Sequence, residues 1–244
     1  MAETTSIDGS PTVVLVHGAF ADASSWNGVI ERLQDKGVQV TAPANPLRGI
    51  EIDSAYIAGV LEEIPGPVLL VGHSYGGAVI SNAATDAKNV VGLVFVAAFA
   101  PDEGEALGEI TPTSKDSVLN SALVPHHFPS KGGEAVEFAI DPAKVSEAFA
   151  ADLPAEQAAL IGATQRPIAE AAFSEPNGPP AWKNHRSWAV VATGDKAAGA
   201  DLVRSMAERA KANITEVEGS HVIMISQPTA VTDVILEALY VVAS

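Results

Sequence analysis

The stretch Val71-Gly72-His73-Ser74-Tyr75-Gly76-Gly77-Ala78 crowds three glycines, a histidine and a tyrosine around one serine hydroxyl. It continues Val68–Val71, a short apolar run of the kind that forms a strand buried on both faces. It opens onto Ala78–Ala84, which is small, apolar and helix-compatible. A Gly-x-Ser-x-Gly pattern between a strand and a helix predicts a turn so tight that Ser74 takes a strained backbone conformation. Side chains two positions before or after the serine would collide with the strand and the helix, which accounts for Gly72 and Gly76. Such a turn holds a hydroxyl clear of its neighbours at a helix N-terminus, where free N–H groups and the dipole favour developing negative charge. Ser74 is therefore the candidate nucleophile.

Outward from this turn the chain alternates. Thr12–Val16, Val38–Ala42 and Val90–Ala97 read as further strands. A helix carries Trp26, Val29, Ile30 and Leu33 at helical spacing, with Ser24 or Ser25 as its cap and Gly37 as its end. A second helix, capped by Asp53, carries Tyr56, Ile57, Val60, Leu61 and Ile64 and stops at Pro65-Gly66-Pro67. The rhythm breaks over Pro101–Ser187, which lacks strand runs and holds local helical spacing near Val145–Leu153 and Gln157–Gly162. It resumes with strands at Trp188–Ala192 and Ile214–Val217, a helix from about Ala200 to Lys211, and a last helix from Pro228 to Val242. Strands alternating with helices predict an α/β fold of three layers, with a mostly parallel sheet of about six strands covered on both faces. Residues 1–100 and 188–244 form the expected core; 101–187 form an inserted helical lid, because long structureless loops are uncommon. The whole is expected to be a single structural unit.

A serine nucleophile needs a base and an orienting acid. Loops at the carboxyl ends of parallel strands gather on one rim. His221, in Gly219-Ser220-His221 after the last strand, falls on the same rim as Ser74. His73 adjoins Ser74, but the turn directs its side chain elsewhere. Asp195, in Thr193-Gly194-Asp195-Lys196, follows a strand and lies between serine and histidine in the chain, the order Ser…Asp/Glu…His. Asp102 is the alternative acid. Backbone N–H groups of Tyr75 and of Ala19, in the loop after the first strand, are the candidate oxyanion donors. Phe20 is a candidate substrate contact. Leu123, Phe128, Phe149, Phe173 and Trp182 are candidates for lining an acyl or alcohol pocket, with packing inside the insertion as the alternative reading. His126-His127 are read as exposed residues, since neighbours on a regular element point apart and no carboxylate spacing accompanies them.

Composition bounds the remaining classes. Of 244 residues, 47% are hydrophobic and 18% charged, which suits a large core. A formal net charge of −16, from 14 basic and 30 acidic residues, argues against nucleic acid or an anionic membrane surface as partner. There are no cysteines, so a cysteine nucleophile, disulfides and thiolate metal sites are excluded. The start MAETTSIDGSP has neither a basic n-region nor an apolar run, and no stretch has the length of a membrane span, so a soluble cytoplasmic protein is expected. No cofactor or metal is implied; oligomeric state, monomer or homodimer, is left open.

HGAFADASSW, GHSYGG, TGDK and GSH occur in that order over nearly the whole chain. Together they resemble the α/β-hydrolase superfamily. HGA with a spaced Trp and a Thr-x-Asp-Lys loop are similar to the small branch of plant salicylate-binding-type methyl esterases and hydroxynitrile lyases. The resemblance implies a serine hydrolase acting on small-molecule carboxylic esters. The lyases of that branch carry Thr where this chain has Gly18, and Lys after the histidine where this chain has Val222. Both departures favour hydrolysis over lyase chemistry. Cofactor-free lyase, C–C or C–N hydrolase, oxygenase or haloperoxidase-like activity on the same triad, and a non-catalytic small-molecule receptor, are the alternatives, because fold does not fix reaction.

Overall fold

A computed structural model describes residues 10–243. The first nine residues of the N-terminal stretch lie outside them. The strands are β1 (Thr12–Val16), β2 (Val40–Thr41), β3 (Val68–His73), β4 (Val90–Val96), β5 (Leu123–Ser130), β6 (Gly133–Ile140), β7 (Ile168–Ala169), β8 (Ser187–Ala192) and β9 (Asn213–Val217). The longer helices are α1 (Asn27–Asp35), α2 (Ile50–Glu62), α3 (Tyr75–Ala83), α4 (Ala155–Thr164), α5 (Ala200–Arg209) and α6 (Pro228–Ala243).

Six strands form one parallel sheet in the order β2-β1-β3-β4-β8-β9. The apolar runs that announced the strands fill its centre: Val13 to Val16 and Val68 to Val71 are wholly buried. Helices cover both faces, α1 packing against α6 and α2 against α3. The chain begins at β1, moves outward to β2, then returns to the other side of β1 for β3. Loops leaving β1 and β3 therefore diverge, and a crevice opens at their carboxyl ends. That switch point is where Ser74 sits, directly after β3.

The insertion departs from the expected helical lid. It contains an antiparallel sheet, β5-β6-β7, alongside short helices and α4. Two features hid the hairpin. β5 reads LVPHHFPS, and its prolines are tolerated because it is an edge strand whose outer side needs no donors. It is also mostly exposed, so no apolar alternation marks it. The turn is a two-residue loop, Lys131-Gly132, between the paired Ser130 and Gly133, a hairpin signal in Gly-rich form. His126 and His127 are exposed on β5, and Nδ1 of His127 lies 3.0 Å from Glu134 across the hairpin.

Two helix starts also differ in detail. Asp22, not Ser24 or Ser25, caps the single turn Ala23–Trp26 that leads into α1. Asp53 lies inside α2 and accepts from the Arg48 N–H just before it, at 3.0 Å.

Candidate active site

The turn after β3 has the backbone its glycines required. Ser74 adopts φ 53° and ψ −123°, outside the comfortable range of an L-residue. A Cβ on Gly72 would stand 2.5 Å from the Gly76 carbonyl oxygen, and one on Gly76 would stand 2.5 Å from the Val16 carbonyl oxygen. Both obstacles are backbone, which cannot swing aside. Ser74 stands at the cap position just before α3, and its carbonyl accepts from the N–H groups of Gly77 and Phe99 at 2.9 and 3.1 Å. Tyr75 occupies the first helical position, where a backbone N–H has no acceptor within its own helix.

His221 is 1% exposed, and its Nδ1–H donates to Asp195 Oδ2 at 2.8 Å. Asp195 is equally buried; its other oxygen accepts from the N–H groups of Ala197 and Ala198 at 2.8 and 3.0 Å. Those two amides fix the carboxylate, the carboxylate fixes the ring, and the fixed tautomer leaves Nε2 as a proton acceptor. Ser74 and His221 both line one narrow cavity of about 10 Å³. Ala19, Phe20 and Tyr75 line it from the sheet side; Leu107, Leu119, Phe149 and Phe173 close it from the insertion. Asp102, the alternative acid, instead pairs with Lys183, whose hydrogen bond holds the carboxyl below its usual range.

Two further histidines hold the backbone of the site. His17 is wholly buried and accepts the Asn45 N–H on Nε2 at 3.0 Å, so its Nδ1–H donates to the Gly18 carbonyl at 2.9 Å. Burial pushes its pKa down to about 4, which keeps it neutral. It thereby shapes the loop presenting Ala19. Beyond Ala19 the chain turns sharply, with Phe20 at φ 61°. His73 braces the loop that carries His221, the two rings lying 4.8 Å apart. Its Nε2–H donates to the His221 carbonyl at 3.0 Å. Burial, and then the neighbouring His221, hold its pKa well below the usual value. Trp26 meets the His73 ring edge-on at 6.3 Å.

Sequence reasoning missed the roles of two carboxylates. Asp152, in the insertion, accepts the Ser220 N–H at 2.9 Å and also the Ser220 hydroxyl, so it clamps the turn that carries His221. Asp53, wholly buried, accepts the Tyr75 hydroxyl at 2.7 Å; burial raises its pKa. Neither sits in a motif, and no local signal links them to residues 68 and 22 positions away. Phe20, Phe149 and Phe173 join the cavity; Phe128 and Trp182 do not. Phe128 lies under the Arg48 guanidinium, 4.9 Å from it. Trp182 donates its Nε1–H to the Pro101 carbonyl at 3.1 Å and stacks near Lys183 and Arg209.

Residues 13–234 match the model of the alpha/beta hydrolase family. The chain belongs to that family. Among relatives, it is 32% identical to a carbendazim hydrolyzing esterase from Nocardioides sp. (strain SG-4G) over 124 residues, spanning 46% of this chain and 51% of that esterase. It is 28% identical to norfluorocurarine synthase 2 from Strychnos sp. over 92% of this chain and 93% of the synthase. Among solved structures, polyneuridine aldehyde esterase superposes with a TM-score of 0.80 at 20% identity, covering 94% of this hydrolase and 99% of that chain. No helix among the described residues is long and apolar enough to cross a membrane.

Proposed function

We propose that this hydrolase cleaves small-molecule carboxylic esters through an acyl-enzyme on Ser74. The observation that carries the reading is one cavity lined by Ser74, His221, Ala19 and Tyr75, with His221 oriented by a buried Asp195. Ser74 Oγ attacks the ester carbonyl while His221 Nε2 takes its proton. The N–H groups of Ala19 and Tyr75 receive the charge on the carbonyl oxygen. The tetrahedral intermediate collapses, the proton passes from His221 to the departing alcohol, and Ser74 is left acylated. Water, deprotonated by His221, then repeats the sequence and releases the acid. Asp195 stabilises the imidazolium in both halves. The insertion serves as a lid that keeps bulk water from the cavity.

Gly18 supports hydrolysis over the lyase alternative. A Cβ there would lie 2.6 Å from the Ser74 Cβ, so a threonine does not fit without moving the nucleophile. A relative named an esterase points the same way. A second reading, non-hydrolytic chemistry on the same three residues, draws on the synthase matched over most of the chain.

Ser74→Ala should lower release of p-nitrophenol from a short-chain ester by at least about 10⁴-fold and abolish fluorophosphonate labelling. Wild-type turnover by that variant would remove Ser74 from the reaction. Rapid turnover of non-ester substrates, with no ester cleaved, would favour the second reading.

A further inference from the structure

The cavity at Ser74 is about 10 Å³, far below the range of about 300 to 1,000 Å³ that ligand sites occupy, so the bulk of a substrate must lie outside it. Directly beside it lies a groove of about 440 Å³, within that range. Phe20 and Phe149 line both spaces. Their rings meet edge-to-face, with centroids 6.1 Å apart, and form the wall between them. Phe149 also leans on the His221 ring at 5.1 Å, so this wall touches the proposed base.

The groove is built from two elements. One side is the turn entering α1, with Asp22, Ser24, Ser25 and Asn27. The other is a single face of α4: Gln157, Leu160, Ile161 and Thr164 recur at i, i+3, i+4 and i+7. Leu160 is 66% exposed there, a large apolar side chain with no cover. Asp22 is the only charged side chain among the described residues of the lining, and its carboxyl is held below the usual range, chiefly by the Ser24 hydroxyl.

We propose that this groove is the subsite for the far limb of the substrate, threaded past Phe20 and Phe149 from an ester seated at Ser74. The limb has an apolar body and ends in a cationic or neutral hydrogen-bonding group; Asp22 selects against an anionic end. The inference rests on the ester-hydrolase reading and names its substrate class.

The test compares p-nitrophenyl acetate with p-nitrophenyl esters of dodecanoic acid bearing a terminal ammonium or a terminal carboxylate. The ammonium ester should have a kcat/KM at least about tenfold above that of the carboxylate ester. Thr164→Trp, at an exposed position, should lower the ratio of ammonium ester to acetate at least about tenfold by filling the groove. Leu160→Lys should shrink the preference for ammonium over carboxylate. Ratios that stay within about twofold in both variants would overturn the subsite. Calorimetric binding of the ammonium ester to Ser74→Ala, with and without Thr164→Trp, separates the two readings. If no ester is turned over, binding that depends on Thr164 keeps the groove and removes the esterase. Turnover that ignores both variants keeps the esterase and removes the groove.

Discussion

At the scale of single residues, the site is governed by backbone atoms that leave no room for a methyl group. Gly76→Ala forces a Cβ against the Val16 carbonyl, so it should destabilise the fold by about 3 kcal/mol, read as a lower urea midpoint. Asp195→Asn keeps the shape but offers His221 Nδ1 the wrong partner at one orientation of the amide. Its kcat on an ester should fall by about 10³–10⁴-fold with little change in KM. An unchanged kcat would show that the carboxylate does not orient the base. The glycine positions Gly72 and Gly76, and the placing of Ser74, Asp195 and His221 at one edge of the sheet, were legible in the sequence because each sits in a local pattern whose geometry is set by its neighbours. His17, His73 and Asp152 were not assigned these roles, because each meets a partner in a segment distant along the chain: Asn45, His221 and Ser220. A histidine that orients a carbonyl leaves no signature in spacing.

At the scale of elements, the main sheet was readable, and so was helical structure at Val145–Ala148 and Ala155–Thr164 within the insertion, whereas the insertion's strands were not. β3 and β4 are continuous apolar runs because both faces are buried, and few structures besides a central strand produce so short an unbroken run. β5 has two prolines and exposed side chains, so neither propensity nor alternation distinguishes it from a loop. Yet the insertion holds part of the site in place. Asp152→Ala removes both acceptors for Ser220 and frees the turn after β9. It should cut kcat by about 10–100-fold while leaving KM nearly unchanged, with partial recovery in Asp152→Asn, which keeps one acceptor. A loss confined to thermal stability, with kcat intact, would make the clamp structural alone.

At the scale of the whole molecule, the buried imidazoles make stability depend on pH. An unfolded histidine titrates near 6.5, whereas His17 in the fold does so at about 4. Between these values the unfolded chain binds a proton that the folded chain refuses. The stabilising effect of a neutral His17 is thus complete above about pH 6.5 and is lost as pH falls towards 4. From pH 7 to pH 5 the loss should amount to about 2 kcal/mol from this residue, and His73 is shifted in the same direction. Urea midpoints at the two pH values check this; equal midpoints would mean that the imidazoles are charged inside the fold.

The bond from Asp152 to Ser220 has a consequence for anyone recombining such proteins. A segment transplanted between β4 and β8 from a cousin would arrive as more than a roof. Unless the donor brings its own acid to that spot, the recipient sheet would inherit a new cover together with an unmoored histidine. Swaps that preserve every sheet residue could still yield inert chimaeras.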